Sequence, residues 1–358
     1  MNAKEKNQLQ KDVVDSIKPG RSGQVIAAPR SGKTKIMIDL IKRDKPVSIL
    51  WVTPSSELAN VAIPGEFNRW KASRFLKKLQ TTTWMSLHKI TGKFDLVILD
   101  EHQFVTRSNC ETLLSNTLIG KTIIAITGTE TQHYDKHEIY AQLRLPVLYR
   151  LSINDAVDMG LLSNYSVKVH LTPLSSIANE SQLSEYDQYH NLSRKIEWAI
   201  ENGGGNIEHL IRARMFLIKN SPTKKALAAK LFNNPPKART LMFCSSIDQA
   251  NDLSQYKYHS KTDNKDLIRF QDGEIDKIAM VNAGGIGFSY RAVDELIMVQ
   301  CDRDKTGLSS QKICRVLLQQ PKYKAMIHVV VLQGTKDEDW ARSTLSKFDS
   351  SKIEIVQY

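Results

Sequence analysis

Apolar and polar positions along the chain form blocks that predict strands separated by helices. Residues 5–17 carry apolar side chains at helical spacing, and Pro19-Gly20 ends that segment. Short apolar runs typical of strands follow at 24–27, 47–53, 94–99 and 122–127, and again at 239–244, 277–281, 295–301 and 326–332. Because strands that alternate with helices form parallel sheets covered on both faces, the pattern predicts an α/β fold of doubly wound sheets.

The chain length and a break in this pattern predict two domains. A chain of 358 residues is long enough for two domains that each bury a core. Between the two groups of strands, residues 175–235 have polar helical sequence interrupted by a Gly-rich loop. We therefore expect one domain over residues 1–165 and a second over 166–358, with 175–235 as a helical insert of the second.

The net charge of the chain is positive. Lys and Arg total 50 against 38 Asp and Glu, a formal charge of +12, and the surplus is spread over both halves without a basic tail. Such a surplus favours a groove that accepts a polyanion such as nucleic acid. The alternative is a surface charge that only keeps the protein soluble.

The cysteine spacing and the hydropathy of the sequence indicate the cellular compartment. The four cysteines have no C-x-x-C spacing, so the sequence indicates neither a disulfide framework nor a zinc site. The first residues have no apolar leader segment, and no stretch reaches the roughly 18 apolar residues that a membrane span needs. We expect a cytoplasmic protein without a membrane partner.

The stretch from Ala27 to Thr34 predicts a phosphate-binding loop. It joins an apolar run to an amphipathic segment, so that backbone N–H groups and the positive end of a helix dipole face one anion. In the pattern G-x-x-x-x-G-K-[ST], Lys33 reaches the β- and γ-phosphates of ATP and the Thr34 hydroxyl binds Mg²⁺. Ala27 replaces the first Gly of that pattern, and Pro29, Arg30, Ser31 and Gly32 complete the loop. A Gly-Lys-Thr sequence at an ordinary helix N-terminus is the alternative.

Asp100 and Glu101 are candidate catalytic carboxylates. They directly follow the apolar run at 94–99, which places them at the carboxyl end of a parallel strand, where open α/β sheets bind ligands. Asp100 is suited to holding Mg²⁺ through water, and Glu101 to orienting and deprotonating the water that attacks the γ-phosphate. The alternative is a solvated acidic pair at a strand end.

Four motifs of the first half resemble, in order, those of superfamily 2 helicases and translocases. Motif I is residues 27–34, motif Ia is Thr53-Pro54-Ser55, motif II is Asp100-Glu101-His102-Gln103 and motif III is Thr127-Gly128-Thr129. The resemblance implies two tandem RecA-like domains that close on ATP and Mg²⁺, with Gln10 reading adenine. It further implies that Thr53, Pro54 and Ser55, with Thr82 and Thr83 of a motif Ib at 81–87, contact nucleic acid. His102, Gln103, Thr127, Gly128 and Thr129 would couple the nucleotide to movement.

The second half continues this resemblance. Residues 241–246 resemble motif IV, which implies that Ser245 and Ser246 contact nucleic acid. Residues 282–289 resemble motif V, which implies nucleic-acid contacts for Asn282 and Gly284 and a nucleotide contact for Gly287. Gln311-Lys312-Ile313-Cys314-Arg315 resembles the start of motif VI and implies catalytic roles for Gln311 and Arg315, with Arg315 reaching across from the second domain.

Two further segments resemble particular branches of the superfamily. Residues 155–165 are similar to the domain-crossing segment of phage branch-migration helicases and of restriction-enzyme motor subunits. Residues 334–339 resemble a segment of Swi/Snf-type motors. These similarities extend the resemblance over nearly the whole chain.

The sequence departs from the family pattern in motifs V and VI. Leu318 stands where motif VI usually has its second Arg, and Ser289 stands where motif V commonly has an acidic residue. An arginine finger contributes about 10³–10⁵ in turnover. Arg315 must therefore act alone, or Arg291 or Arg303 substitutes for the second Arg, or hydrolysis is slow.

Two other groups of residues have alternative interpretations. The basic cluster at 69–78, with Trp70 and Phe75 interleaved, fits either a track for nucleic-acid phosphates or a solvated helix face. In the predicted insert, Tyr186, Tyr189 and Trp198 are interpreted as helix-packing residues, with contact to nucleic acid as the less favoured alternative.

The resemblance and the residues together predict an ATP-dependent nucleic-acid helicase or translocase of a bacterial or phage-infected cell. ATP and Mg²⁺ are the expected cofactors, and DNA, single-stranded or branched, is the expected partner of a monomer that moves along or remodels forks. One alternative is an ATP-gated nucleic-acid clamp that hydrolyses ATP weakly because motif VI is degenerate. A second is a small-molecule kinase or other NTPase, which would not need residues 239–318.

Overall fold

A computed structural model of the chain contains two parallel β-sheets with helices packed between and around the strands. It describes residues 1–115, 117–128, 130, 134–178, 183–203, 205–234, 238–281, 293–301, 308–317 and 324–358. These residues fall into two compact units: 1–162 with 308–314, and 163–301 with 315–317 and 324–358.

The first unit is built on a sheet with six strands in its described part. Strands β1 (Gly23–Ala27), β2 (Ile49–Thr53), β3 (Leu79–Thr83), β4 (Gly92–Asp100), β5 (Leu118–Thr127) and β6 (Val147–Leu151) are arranged in the order β3-β2-β4-β5-β1-β6, all parallel. The helices are α1 (Ala3–Ser16), α2 (Lys33–Asp44), α3 (Ile63–Arg69), α4 (Arg107–Leu114), α5 (Tyr134–Gln142) and α6 (Ile153–Asp158).

Alternate side chains of the central strands pack on opposite faces of this sheet. Trp51 of β2 and Ile98 of β4 join a buried cluster with α1, α2 and α3. Their neighbours Val52 and Leu99 join a second cluster with α4 and α5. Because both faces are covered, these strands consist almost entirely of apolar residues, which is why the sequence shows them as continuous runs.

The second unit has a sheet with seven strands among its described residues. Strands β7 (Asn164–Thr172), β8 (Thr240–Phe243), β9 (Lys257–Tyr258), β10 (Lys277–Met280), β11 (Glu295–Met298), β12 (Lys324–Leu332) and β13 (Ile353–Gln357) are ordered β13-β7-β12-β11-β8-β10-β9 and are parallel. The helices along this part of the chain are α7 (Glu185–Glu201), α8 (Glu208–Lys219), α9 (Pro222–Asn233), α10 (Ile247–Leu253), α11 (Lys265–Asp272), α12 (Leu308–Cys314) and α13 (Lys336–Leu345). Of these, α12 packs with the first unit.

The segment predicted as a helical insert contains three helices with different surroundings. Helices α7 and α8 pack against each other as a hairpin. Helix α9 instead lies on the sheet, where Leu227, Ala228 and Phe232 join the core with β8, β10, β11 and β12. The last part of residues 175–235 therefore belongs to the core of the second unit.

The sequence-based fold class is confirmed, and so are the eight predicted strands. Both sheets are parallel and both are interleaved with helices, the architecture of tandem RecA-like domains. Strands β3, β6, β7, β9 and β13 were not predicted. Within the described residues, no helix combines the length and the apolar character that crossing a membrane requires.

Two histidines form a buried pair in the second sheet. His170 of β7 and His328 of β12 stack with ring centroids 5.1 Å apart, and His170 Nε2 lies 2.8 Å from His328 Nδ1. Burial lowers the pKa of both to about 4, and Lys168 adds to the shift. A hydrogen bond between two ring nitrogens requires one of them to be an unprotonated acceptor, so this pair resists protonation.

Acidification is therefore expected to destabilise the second unit between about pH 6.5 and pH 4. The pKa values in the folded state lie below those of the unfolded chain, so the unfolded state binds more protons as the pH falls through this window. We expect a loss on the order of 2 kcal/mol in the free energy of unfolding between pH 7 and pH 5. Thermal unfolding followed by circular dichroism measures it. His328→Gln should flatten the dependence, and an equally steep profile in that variant would contradict the assignment.

Candidate functional site

The phosphate loop predicted from the sequence connects a buried strand to an uncapped helix. All five residues of β1 are buried, and α2 begins at Lys33 after the loop. Gly32, at the N-cap, has φ +89°, no side chain caps the helix, and the first turn has no acidic residue. The orphan N–H groups and the positive end of the helix dipole are thus free to bind an anion.

Gln10 packs directly against this loop. Its Nε2 donates to the carbonyl of Ser31 at 2.8 Å, and a Cβ added to Gly32 would lie 2.3 Å from the same nitrogen. Glycine is therefore favoured at position 32, because any Cβ would displace the Gln10 amide and the φ of +89° is strained for other residues. Among the described residues, Gln10 Oε1 and Ser31 Oγ are buried and have no hydrogen-bond partner. These free polar atoms next to a phosphate loop fit a bound nucleotide, since Gln10 Oε1 could accept from the amino group of a base.

The Lys33 ammonium lies between motif II and motif III. Its Nζ is 3.4 Å from Glu101 Oε1, and a Cβ added to Gly128 would lie 2.9 Å from Nζ. The Pro29 ring is also in contact with Gly128, at 3.4 Å from the same added atom. In this structure the lysine that the sequence assigns to phosphate binding thus neutralises a catalytic candidate.

The Glu101 carboxylate is held by side chains from three separate motifs. Its Oε2 accepts from Gln103 Nε2 and from Gln311 Nε2, each at 2.9 Å, and lies 3.3 Å from the Thr127 hydroxyl. Thr127 also donates to Gln103 Oε1 at 2.6 Å. Burial would raise the pKa of Glu101, but the Lys33 charge and the hydrogen bonds from Gln103 and Gln311 outweigh it and lower the pKa. This carboxylate therefore contacts side chains of motifs II, III and VI.

The pKa of Asp100 is shifted in the opposite direction from that of Glu101. Burial and the adjacent charge of Glu101 raise the pKa of Asp100 to about 7. A divalent cation next to Asp100 would favour its ionised form. Carboxylate and hydroxyl oxygens are the ligands that Mg²⁺ prefers, and Mg²⁺ keeps several waters, so the oxygen atoms of Asp100 and Thr34 have the donor chemistry that such an ion needs. The described residues contain no group of three or more His, Cys, Asp or Glu side chains that could hold a metal ion by themselves.

The backbone is strained on both sides of this site. Arg30 in the phosphate loop has φ +69° and Glu101 has φ +47°, in the left-handed region that favours glycine. Non-glycine residues there cost on the order of 1–3 kcal/mol and cluster at ligand-binding and catalytic positions.

Replacing Arg30 with Gly is expected to increase the free energy of unfolding by about 1 kcal/mol, because glycine adopts this φ without a Cβ clash. If Arg30 contacts phosphate, ATP binding should weaken in the same variant. Lys45→Gly is a matched control, since Lys45 has φ +50° at the other end of α2. It should stabilise the protein without changing ATP affinity. Denaturant unfolding and ATP titration measure both effects, and a less stable Arg30→Gly protein would contradict the prediction.

Lys6 is a residue of this region that the sequence analysis did not select. It lies on α1 one helical turn before Gln10, and its Cε is 3.9 Å from the position of an added Gly32 Cβ. Burial and the charges of Arg30 and Arg69 lower its pKa. The only sequence signal for it is the four-residue spacing to Gln10, which places both side chains on one face of the helix.

Motifs Ia and Ib lie at the carboxyl ends of neighbouring strands. Thr53 is fully buried and its hydroxyl has no partner among the described residues, while Thr82 is 7% exposed. Thr83 uses its hydroxyl to cap the turn Trp84–Lys89, accepting from Ser86 N at 3.3 Å. Pro54 and Ser55 are half-buried, and the Ser55 hydroxyl accepts from Leu58 N. Motif Ib also contacts motif II, because Trp84 Nε1 donates to the carbonyl of Asp100 at 3.0 Å.

His102, the third residue of motif II, is a buried and neutral side chain. Its ring meets that of Tyr140 edge-on at 4.8 Å, and neither ring nitrogen has a hydrogen-bond partner within the described ranges. Burial lowers the pKa of His102 to about 3. The residue therefore couples to its surroundings by packing in this structure.

The motif residues of the second unit are described only in part. The Ser245 hydroxyl donates to the carbonyl of Lys219 at 2.6 Å, and the Ser246 hydroxyl accepts from Gln249 N as the N-cap of α10. Arg315 is half-buried. Several selected residues lie outside the described residues: Thr129, Asn282, Gly284, Gly287, Ser289, Arg291, Arg303 and Leu318.

The fold of this chain is similar to that of solved structures. Neither a protein-family model nor a curated protein sequence matches the chain. The chain is similar to the solved structure of the ATP-dependent Type ISP restriction-modification enzyme LlaBIII bound to DNA, with a TM-score of 0.61 and 13% identity over 99% of this chain. It is also similar to the Pyrococcus furiosus Hef helicase domain, with a TM-score of 0.53 and 11% identity over 95% of this chain and 97% of that one. The fold is helicase-like.

In this helicase-like fold, the two parallel sheets are the sheets of tandem RecA-like domains. The chain spans 31% of the length of the restriction-modification enzyme. At these identities the similarity establishes the fold alone.

Proposed function

We propose that the chain is a superfamily 2 DNA translocase or helicase that couples ATP hydrolysis to movement along, or remodelling of, forked or branched DNA. The observation that carries the proposal is the Glu101 carboxylate, which bonds to Gln103 and Gln311 and pairs with Lys33 beside an uncapped helix N-terminus. This arrangement combines a triphosphate site with a candidate base, which hydrolysis requires.

The loop residues would hold the nucleotide. The N–H groups at the start of α2 bind the phosphates, and Lys33 leaves Glu101 to contact the β- and γ-phosphates. Gln10 accepts from the base through its free Oε1. Asp100 and Thr34 would hold Mg²⁺, which supplies neutralisation of phosphate charge when bound.

Glu101 would then act as the general base. Without Lys33 at 3.4 Å, the largest influence that lowers its pKa is removed, so its affinity for a proton increases as the nucleotide binds. The carboxylate orients the attacking water and takes its proton. When Glu101 is protonated, its hydrogen bonds to Gln103, Thr127 and Gln311 change. We propose that this change transmits the state of the nucleotide to motifs III and VI and so couples it to movement.

DNA is the favoured polymer. The charge surplus of +12 suits a polyanion, and one protein of similar fold, the Type ISP enzyme, was solved bound to DNA. We propose that the protein acts as a monomer in the cytoplasm of a bacterial or phage-infected cell.

The proposal is tested by ATP hydrolysis across a panel of single-stranded, duplex, forked and four-way DNA, with RNA as comparison. We expect stimulation by DNA, strongest for single-stranded or branched forms, that weakens as salt increases. A rate that is indifferent to every nucleic acid would overturn the proposal and favour a small-molecule NTPase.

An ATP-gated clamp is the second candidate function, because Leu318 replaces the second Arg of motif VI in the sequence. Loss of an arginine finger lowers turnover by about 10³–10⁵. The clamp predicts DNA binding that tightens with ATP while hydrolysis stays at background. Measuring DNA affinity with and without ATP, beside the hydrolysis rate, separates the two candidates.

A further inference from the structure

The helical hairpin of α7 and α8 exposes a tryptophan to solvent. Tyr189 is 5% exposed and packs as the sequence analysis predicts, but Trp198, on the same helix, is 66% exposed. The inward side of α7 is formed by Tyr189, Ile196 and Ala199. Most of the Trp198 side chain therefore lies outside the packing of the hairpin, and its interpretation as a helix-packing residue is wrong.

Trp198 lies in a groove together with cationic and amide side chains. Asn191, Arg194, Lys195 and Trp198 are spaced by three or four residues along α7, which places them on one side of the helix. With Ala199 and Leu210 they line an open groove of about 510 Å³. Leu210 comes from α8, so both helices of the hairpin contribute to the groove.

Among the described residues, no carboxylate pairs with either of the two cations of this groove. Arg194 donates to Asn191 Oδ1 at 2.5 Å, and within the described part of the chain no carboxylate oxygen lies within 4 Å of Arg194 or Lys195. By contrast, Arg212 on the outer side of α8 pairs with Glu208 at 2.8 Å. The groove therefore presents an aromatic face beside two cationic side chains whose charge is available to an anionic ligand.

We propose that this groove binds single-stranded nucleic acid, with a base stacked on Trp198 and the backbone phosphate bound by Arg194 and Lys195. The inference extends the proposed function, because it gives the same polymer a contact outside the motifs. The Cβ atoms of side chains one helical turn apart are about 5–6 Å apart, so the Trp198 ring and the two cationic side chains can reach the base and the phosphate of one nucleotide. Stacking on an aromatic ring beside cations is the usual way in which proteins bind single strands without reading sequence.

Two variants test the groove against matched controls. Trp198→Ala removes the aromatic face, and Arg194→Ala/Lys195→Ala removes both charges. Phe216→Ala, at a side chain of α8 that is 69% exposed but outside the groove, controls for the loss of an exposed aromatic residue. Lys336→Ala/Arg342→Ala, at exposed positions of α13, controls for the loss of two charges.

The measurement is fluorescence anisotropy of a labelled oligo(dT) with the full chain, without nucleotide, over a series of salt concentrations. We expect Trp198→Ala to weaken binding by about 5- to 100-fold, with the salt slope unchanged. The double charge variant should weaken binding and decrease the salt slope by about 0.7, because the two side chains bind one phosphate and each phosphate contact of a single strand contributes about that amount. Both controls should bind as the wild type does.

The outcomes distinguish this inference from the proposed function. If the wild type binds oligo(dT) and both groove variants bind equally well, the groove is not a nucleic-acid site and the proposed function stands. Equal weakening by Phe216→Ala and Trp198→Ala would also overturn the inference. So would a change of oligomeric state in Trp198→Ala with unchanged DNA affinity, which would indicate a protein interface. A wild type that binds no DNA would overturn both.

Discussion

Replacing Lys33 with Ala is expected to weaken ATP binding by about 100-fold, equivalent to roughly 3 kcal/mol. The ammonium lies at the N-terminus of α2, within 3.4 Å of Glu101, where a triphosphate would replace the carboxylate as its partner. Without it, the nucleotide loses a charge-assisted contact to its β- and γ-phosphates. Titration with a fluorescent ATP analogue measures the affinity directly.

Lys35→Ala is the control for this variant. Lys35 is two residues further along the same helix and pairs with Asp39 at 2.6 Å, so its removal changes the charge equally without touching the loop. We expect Lys35→Ala to bind ATP within a few-fold of the wild type. Equal loss in both variants would indicate a general charge effect, and unchanged affinity in Lys33→Ala would contradict the assignment of the loop.

The largest effect on stability is expected from breaking the buried ion pair of the second unit. Lys224 of α9 is fully buried and its Nζ donates to Asp337 Oδ2 at 2.6 Å and to Gln300 Oε1 at 3.0 Å. Asp337 also accepts from the backbone of Leu332 at 2.9 Å. Removing one partner of such a pair costs about 3–5 kcal/mol, because the other charge stays buried without compensation.

Lys224→Met should therefore lower the unfolding midpoint strongly, and Lys224→Met/Asp337→Asn should recover most of the loss. In the double variant the amide side chain keeps an acceptor for the Leu332 N–H without carrying a charge. Lys225→Met is the control, since Lys225 is the next residue but its side chain is 41% exposed. Urea unfolding followed by circular dichroism measures all of them. A single variant as stable as the wild type would contradict the prediction.

Gln300 belongs to the same buried network as the ion pair. Gln300 bonds to both Lys224 and Asp337 and stands just after β11, on the chain segment that continues toward α12. Helix α12 carries Gln311, which contacts Glu101 in the first unit.

The sequence predicted the central strands because their burial on both faces leaves continuous apolar runs. It missed β3, β6, β9 and β13, which are the edge strands of the two sheets. Edge strands are partly exposed, and β3 accordingly reads Leu-Gln-Thr-Thr-Thr, with a single buried side chain. Strand β7 lies inside its sheet but largely alternates buried residues with partly exposed ones, so it shows no apolar run either.

The sequence predicted those residues of the candidate site that lie in short local motifs. Lys33, Gly128, Glu101 and Gln103 lie in short motifs, and the structure brings them together. The hydrogen bond from Gln311 to Glu101 joins residues 210 positions apart, which no local pattern specifies. Trp198 was interpreted as a packing residue because aromatic residues at helical spacing are usually buried, and only the exposed area of its side chain overturns that interpretation.

The proposed function requires Glu101 to act as a base in ATP hydrolysis that responds to DNA. The direct measurement is the steady-state rate of ATP hydrolysis with and without single-stranded DNA, for the wild type and for Glu101→Gln, together with ATP affinity. We predict that DNA increases the wild-type rate, and that Glu101→Gln binds ATP normally but hydrolyses it about 10²–10⁴-fold more slowly. A wild-type rate that DNA leaves unchanged, or a Glu101→Gln rate equal to the wild-type rate, would contradict it.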